Sequence, residues 1–174
     1  MSSVSVQIPV LDLPWPDDLK IAVVTLRDAS PGWRRLAFEA ASVAQPGGDS
    51  FPLAERAPGR GGAERDRTAF LYRQADLVRG YLCVASKIVT GYRDPLTGYR
   101  TAADGERVSR PCVLVVWVDV ELRRHGVARE LVEAAARHAG VAVSGLAWAE
   151  PFTDSGYLLA RSIVPDGFWI ADYS

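Results

Sequence analysis

Apolar and polar positions divide the chain into short stretches whose period switches between two and about 3.6. Val4, Val6, Ile8 and Val10 alternate with other residues and predict an extended N-terminal segment, broken by Pro14-Trp15-Pro16. Leu19–Leu26 reads as a buried strand. Ser30-Pro31 then opens a helix running to Ala44, with Ser30 as N-cap and Pro31 in the first helical position, and Pro46-Gly47-Gly48 ends it. Thr68–Tyr72 and Leu77–Val89 read as two strands joined by the polar turn Arg73-Gln74-Ala75-Asp76, an antiparallel hairpin. Cys112–Val118 is a central strand, after which Val127, Leu131, Val132, Ala135 and Ala139 recur at helical spacing up to Gly140. Val141–Ala149 is expected as a further strand, Asp154–Ile163 as a short helix, and Phe168–Tyr173 as a closing strand after the turn Pro165-Asp166-Gly167.

Two stretches lack any period. Residues 45–67 are rich in Gly, Pro, Ala and charge, and residues 91–110 hold the turn formers Asp94-Pro95, Thr97-Gly98 and Asp104-Gly105, so both are expected as mobile loops. The order of strands and helices fits an α/β (α+β mixed) domain, with a mixed sheet and helices on its faces. A length of 174 residues supports a single core.

Composition narrows the function by exclusion. Hydrophobic residues make up 48% and charged residues 24%, which argues against wholesale disorder. The formal net charge of −1 supplies no general electrostatic footprint for nucleic acid. The longest apolar runs, such as Val113–Val118, fall far short of the roughly 20 residues that span a bilayer, so no membrane association is expected. The start Met1-Ser2-Ser3-Val4 lacks the basic-then-apolar pattern of a secretory signal, and a cytoplasmic protein is the expectation. Cys83 and Cys112 both fall in apolar runs and read as buried reduced thiols, and no His/Cys/carboxylate spacing suggests a metal.

The candidate chemistry lies at Arg123-Arg124-His125-Gly126-Val127-Ala128, between an apolar strand and an amphipathic helix. Such a turn aims the first helical amides and the positive end of the helix dipole outward, and small residues let backbone approach an oxygen, which together make an anion site suited to phosphate. The pattern Arg-x-x-Gly-x-Ala, entered from Val118-Asp119-Val120, resembles the pyrophosphate motif of the GNAT N-acetyltransferase superfamily, most fully over residues 68–174. The resemblance implies a single GNAT-like domain over 1–174, with a mixed, mostly antiparallel sheet flanked by helices. It implies acetyl-CoA as co-substrate, with the amides of Arg123, Arg124, His125, Gly126, Val127 and Ala128 on the pyrophosphate and further charge from the two arginines. The strand end Trp117, Val118 and Val120 would pair with the pantetheine arm, the Val118 amide facing the thioester oxygen. Stabilisation of that kind is worth about 3 kcal/mol in comparable sites.

The segment from Ala147 to Gly156, with Trp148, Glu150-Pro151 and Thr153-Asp154-Ser155-Gly156, is similar to the C-terminal region of the sister-chromatid cohesion acetyltransferases, which act on protein lysines. Phe152 breaks strict register with that pattern, and the zinc finger of the eukaryotic relatives is absent. Many GNAT enzymes carry a tyrosine a few residues before a Gly-Phe pair to protonate the departing thiolate, but Ile163, Val164, Pro165 and Asp166 precede Gly167-Phe168. An amine with a pKa of about 10.4 must lose a proton before it attacks, and carboxylates can accept it. Glu150 is therefore the first candidate base, Asp154 the second with a competing role as helix cap, and Tyr157 the candidate acid reaching the sulfur from another position. The expected activity is direct acetyl transfer in a ternary complex to a protein lysine, an N-terminus or a small-molecule amine, by a monomer or homodimer. A catalytically silent acyl-CoA-binding or protein-interaction module on the same fold is the alternative.

Overall fold

The computed structural model describes residues 7–10, 12–44, 66–94, 96–101, 108–150 and 154–172. Among these residues run eight strands: β1 (Ile8–Pro9), β2 (Ile21–Thr25), β3 (Thr68–Gln74), β4 (Leu77–Asp94), β5 (Gly98–Thr101), β6 (Ser109–Val118), β7 (Ala147–Glu150) and β8 (Phe168–Asp172). Three α-helices accompany them, α1 (Pro31–Ala44), α2 (Val127–Ala139) and α3 (Asp154–Ile163). The strands are hydrogen-bonded in the order β2-β3-β4-β6-β7-β8, with β1 and β5 also on β4 and β8 returning to β4. Pairings of β1 with β4, β2 with β3, β4 with β5 and β4 with β8 are antiparallel, and those of β6 with β7 and β7 with β8 are parallel. The sheet is thus mixed and mostly antiparallel, as expected. The chain divides into two compact units, residues 1–83 with 116–131 and residues 84–115 with 132–174.

In the first unit, alternation decides which residues face inward: Ala22 and Val24 of β2 are buried while Val23 between them is exposed. Helix α1 meets β1, β2 and β3 and buries Leu36 together with Ala37, Ala40 and Ala41, whose small side chains allow close helix–sheet approach. The extended N-terminal segment finds its partner in the start of β4, with Ile8 opposite Val78 and Pro9 opposite Leu77. Trp15 is buried against Trp33, with ring centroids 5.5 Å apart, and its Nε1 donates to the Leu19 carbonyl at 2.7 Å. Arg73 closes this corner by donating to the Trp15 carbonyl at 2.9 Å. Gly80 of β4 makes room for α2, because a Cβ there would stand 3.2 Å from Leu131 Cδ1 and 3.3 Å from Val127 Cγ1.

In the second unit, β7 is the inner parallel strand, with Ala147 opposite both Cys112 and Trp169. The β6–β7 ladder runs over Cys112↔Ala147 and Val113↔Trp148, while β7 continues with β8 to Glu150↔Asp172. Cys83 in the first unit and Cys112 in the second are both buried, reduced thiols.

Two expectations are corrected. Residues 91–110 are not simply a loop: β4 extends to Asp94, and β5 folds back on it with Asp94 opposite Gly98 and Gly91 opposite Thr101. The Asp94 carboxylate accepts the amides of Leu96 at 2.7 Å and Thr97 at 3.1 Å, and Gly98 takes φ +82°, so the turn formers there build a hairpin end. The strand expected over Val141–Ala149 begins only at Ala147. Gly140, at φ +70°, ends α2, the Val141 amide donates back to Ala136, and Val143–Gly145 forms a 3-10 turn, so these apolar residues terminate a helix. Asp66 and Arg67 are described, whereas the rest of the 45–67 stretch lies outside the described residues.

A bulkier residue at Gly80 would collide with Tyr72, Val127 and Leu131. Gly80→Val is expected to lower stability by about 1–3 kcal/mol, read as a fall in the urea midpoint; an unchanged midpoint would contradict this packing.

Candidate functional site

The first place to which the sequence points is the end of β6 and the start of α2. Asp119 follows the strand and its side chain accepts the Glu121 amide at 3.2 Å, capping a 3-10 turn over Val120–Leu122. The Arg123 amide then donates to Val120, and the His125 amide to Leu122 at 3.3 Å. Arg124 and Gly126 both take positive φ, +67° and +82°, and α2 begins at the next residue. Two left-handed residues in three turn the chain sharply just before the α2 amides that have no partner within the helix. Glu130 donates to the Gly126 carbonyl at 3.0 Å and sets the first helical bond. Residues 123–126 are exposed and Val127 is buried.

A Cβ placed on Gly126 would meet nothing within 4 Å, so this glycine serves backbone conformation and leaves open space at the turn. Arg123 folds back to the strand, with Nε donating to the Val118 carbonyl at 3.1 Å. A carbonyl can only accept, so His125 Nδ1, 3.0 Å from the Arg123 oxygen, is the donor in that contact. Trp117 is half-buried, Val118 buried and Val120 exposed. The strand end, the 3-10 turn, residues 123–126 and the first residues of α2, Val127 and Ala128, thus follow one another along the chain.

Sequence reasoning missed what holds that turn. Arg79, a cation inside an apolar strand, has its Nε 3.2 Å from Asp119 Oδ2 and its terminal nitrogens 2.6 Å from Glu121 Oε2 and 3.1 Å from Gln74 Oε1. The Asp119 amide donates in turn to the Arg79 carbonyl at 2.8 Å. Asp119 is 2% exposed and the Arg79 side chain 12%, so this pair is largely withdrawn from water. Removing one partner of such a pair typically costs about 3–5 kcal/mol. The available signal was a lone arginine between Val78 and Gly80, which needs a carboxylate if buried.

The second place lies in the other unit. Glu150 ends β7, and its carboxylate stands 3.8 Å from Arg93 of β4. The same guanidinium lies 5.2 Å from the centre of the Tyr157 ring, which meets Phe168 edge-on at 6.2 Å. Phe168 also meets Trp148 edge-on. Arg93 thereby links Glu150 and Tyr157, and only the missed arginine reveals that they are neighbours. Asp154 is the first residue of α3, but its side chain lies outside the described residues, as do Pro151–Thr153. Among the described residues, no group of three or more His, Cys, Asp or Glu could hold a metal ion.

Eight strands, three helices and the strand–turn–helix at β6–α2 give the chain the fold of the GNAT acetyltransferases. Among solved structures it is similar to the xEco2 acetyltransferase domain bound to a K105-CoA conjugate, with a TM-score of 0.63 and 16% identity over 88% of this chain and 93% of that one. A second structure of the xEco2 domain matches with the same score over 99% of both chains. An aminoglycoside 6'-N-acetyltransferase from Acinetobacter haemolyticus matches with a TM-score of 0.55 and 15% identity, over 83% of this chain and 89% of that one. No family model and no curated protein matches the sequence.

Gly167 constrains the acid cluster through the neighbour of Arg93. Its φ is +121°, and a Cβ would stand 2.5 Å from the Tyr92 hydroxyl and 2.7 Å from the Arg93 carbonyl. Gly167→Ala is expected to destabilise by about 1–3 kcal/mol in thermal or chemical unfolding, and wild-type stability would show that the turn relaxes freely.

Proposed function

We propose that the protein is an acetyl-CoA-dependent N-acetyltransferase that moves the acetyl group to an amine by direct transfer in a ternary complex. The observation that carries the reading is the turn at Arg124–Gly126: two positive-φ residues, open space at Gly126, and a helix start behind them. In this reading the amides of Arg123 to Ala128 hold the coenzyme pyrophosphate, aided by Arg123 and Arg124. The β6 end, Trp117 to Val120, runs beyond the register shared with β7 and carries the pantetheine arm. The Val118 amide faces the thioester oxygen and stabilises the negative charge that gathers there. The neighbours of the same fold whose names include acetyl transfer, and in one case a CoA conjugate, support the coenzyme and the reaction class.

Glu150 takes the proton that the acceptor ammonium must lose, directly or through water, and Arg93 restricts where its carboxylate can point. The neutral amine then attacks the thioester carbon, the carbon–nitrogen bond forms as the carbon–sulfur bond breaks, and the leaving thiolate takes a proton from Tyr157, which the second proton shed by the nitrogen restores. Tyr157, whose ring lies near Arg93 and meets Phe168 edge-on, is the candidate acid that protonates the departing thiolate. Asp154 stands as second base. The acceptor class is a protein lysine, an N-terminus or a small-molecule amine.

Thiol release from acetyl-CoA, followed with lysine peptides, a free N-terminal peptide and a small polyamine, tests the reading. Turnover above hydrolysis with at least one acceptor is expected. Coenzyme binding with no such turnover would favour a silent acyl-CoA module, the reading that the missing tyrosine before Gly167-Phe168 keeps in play. Gly126→Glu should abolish acetyl-CoA binding with the fold retained, since the new carboxylate projects into open space where a phosphate belongs; unchanged affinity would sink the turn assignment. Glu150→Gln should lower kcat by about 10²–10⁴-fold with coenzyme affinity unchanged, and full activity across the pH range would remove Glu150 as base.

A further inference from the structure

A turn built to receive a polyanion carries two acids of its own just ahead of it, Asp119 and Glu121. Uncompensated, both would oppose the ligand, because opposite effects on an anion follow directly from the sign of nearby charge. One side chain answers both: the Arg79 guanidinium lies 3.2 Å from Asp119 and 2.6 Å from Glu121. The Arg79 backbone carbonyl also takes the Asp119 amide, so the end of β6 is anchored to β4 through main chain and side chain together. Asp119 passes this anchoring on by capping the 3-10 turn that leads into Arg123.

We propose that Arg79 is the positioning residue of the coenzyme turn, fixing its entry and offsetting one of the two negative charges that Asp119 and Glu121 place beside the coenzyme phosphates. This rests on the reading of residues 123–128 as the pyrophosphate site. Arg79 acts through the two carboxylates and touches neither substrate. Its role separates into geometry, carried by buried Asp119, and electrostatics, carried jointly with Glu121, whose side chain is 63% exposed.

Calorimetric titration with acetyl-CoA at low and high ionic strength tests the proposal on the intact protein. Glu121→Gln removes the exposed acid while leaving the buried Asp119 beside Arg79, and is expected to tighten binding two- to fivefold at low salt, with the gain shrinking as salt rises. Arg79→Met is expected to weaken binding at least tenfold. Arg79→Lys should stay within about threefold of wild type, since it keeps the cation. Adding Glu121→Gln to Arg79→Met should recover more affinity than the two- to fivefold that Glu121→Gln gains alone, whereas a purely structural lesion would give only that additive gain. Should Arg79→Met fail to fold, Arg79→Gln takes its place, alone and with Glu121→Gln, and recovery no greater than that of Glu121→Gln alone counts against the role of Arg79. Wild-type affinity in Glu121→Gln at both salts, or only the additive gain in a folded double variant, would overturn the role of Arg79 while leaving the turn assignment intact. Failure of the wild type to bind acetyl-CoA would overturn both.

Discussion

The candidate chemistry depends on how the chain leaves β6. A strand end followed directly by a helix would leave the helix start buried against the strand or pointed without constraint. The left-handed angles at Arg124 and Gly126 impose a sharp reversal within three residues, and Val127 drops into the core immediately afterward. Glycine adopts such an angle at little cost, whereas Arg124 must be held there by its surroundings. Those surroundings are the capped 3-10 turn over Val120–Leu122, the Arg123 contact to Val118 and the Arg79 ion pairs. The shape of the turn before α2 is the product of these local backbone angles and of the long-range pairing around them.

The acid cluster is arranged on a different principle. Glu150 has a single long ion pair, at 3.8 Å, and both side chains keep about a third of their surface exposed. A contact of that length leaves the carboxylate able to exchange partners, as a group that takes and releases a proton must. The aromatic side chains beneath, Tyr157, Phe168 and Trp148, meet edge-on and are far less free to rearrange.

Much of this was legible in the residues because it is local. Apolar runs bounded by turn residues located β2, β3, β6 and β8, the Ser30-Pro31 start located α1, helical spacing located α2, and the run Arg123–Ala128 marked the turn through residue types whose backbone preferences are their own. What escaped was long-range or depended on competition between local signals. Arg79 reaches Glu121 across 42 positions, and nothing in the neighbourhood of either names the other. Arg93 looked like one more charge in a loop because Pro95 and Gly98 read as breakers, whereas their flanks pair as β4 and β5. Val141 and Val143 looked like a strand because apolar residues that terminate a helix have the same composition as a short buried strand.

The claim on which the account turns is that the exposed turn before α2 binds the coenzyme. Calorimetric titration of the purified wild-type protein with acetyl-CoA tests it most directly. The account predicts saturable one-to-one binding in the micromolar range, about −8 kcal/mol. No detectable heat and no displacement of a fluorescent coenzyme analogue would contradict it, leaving the turn as a strand-to-helix connection.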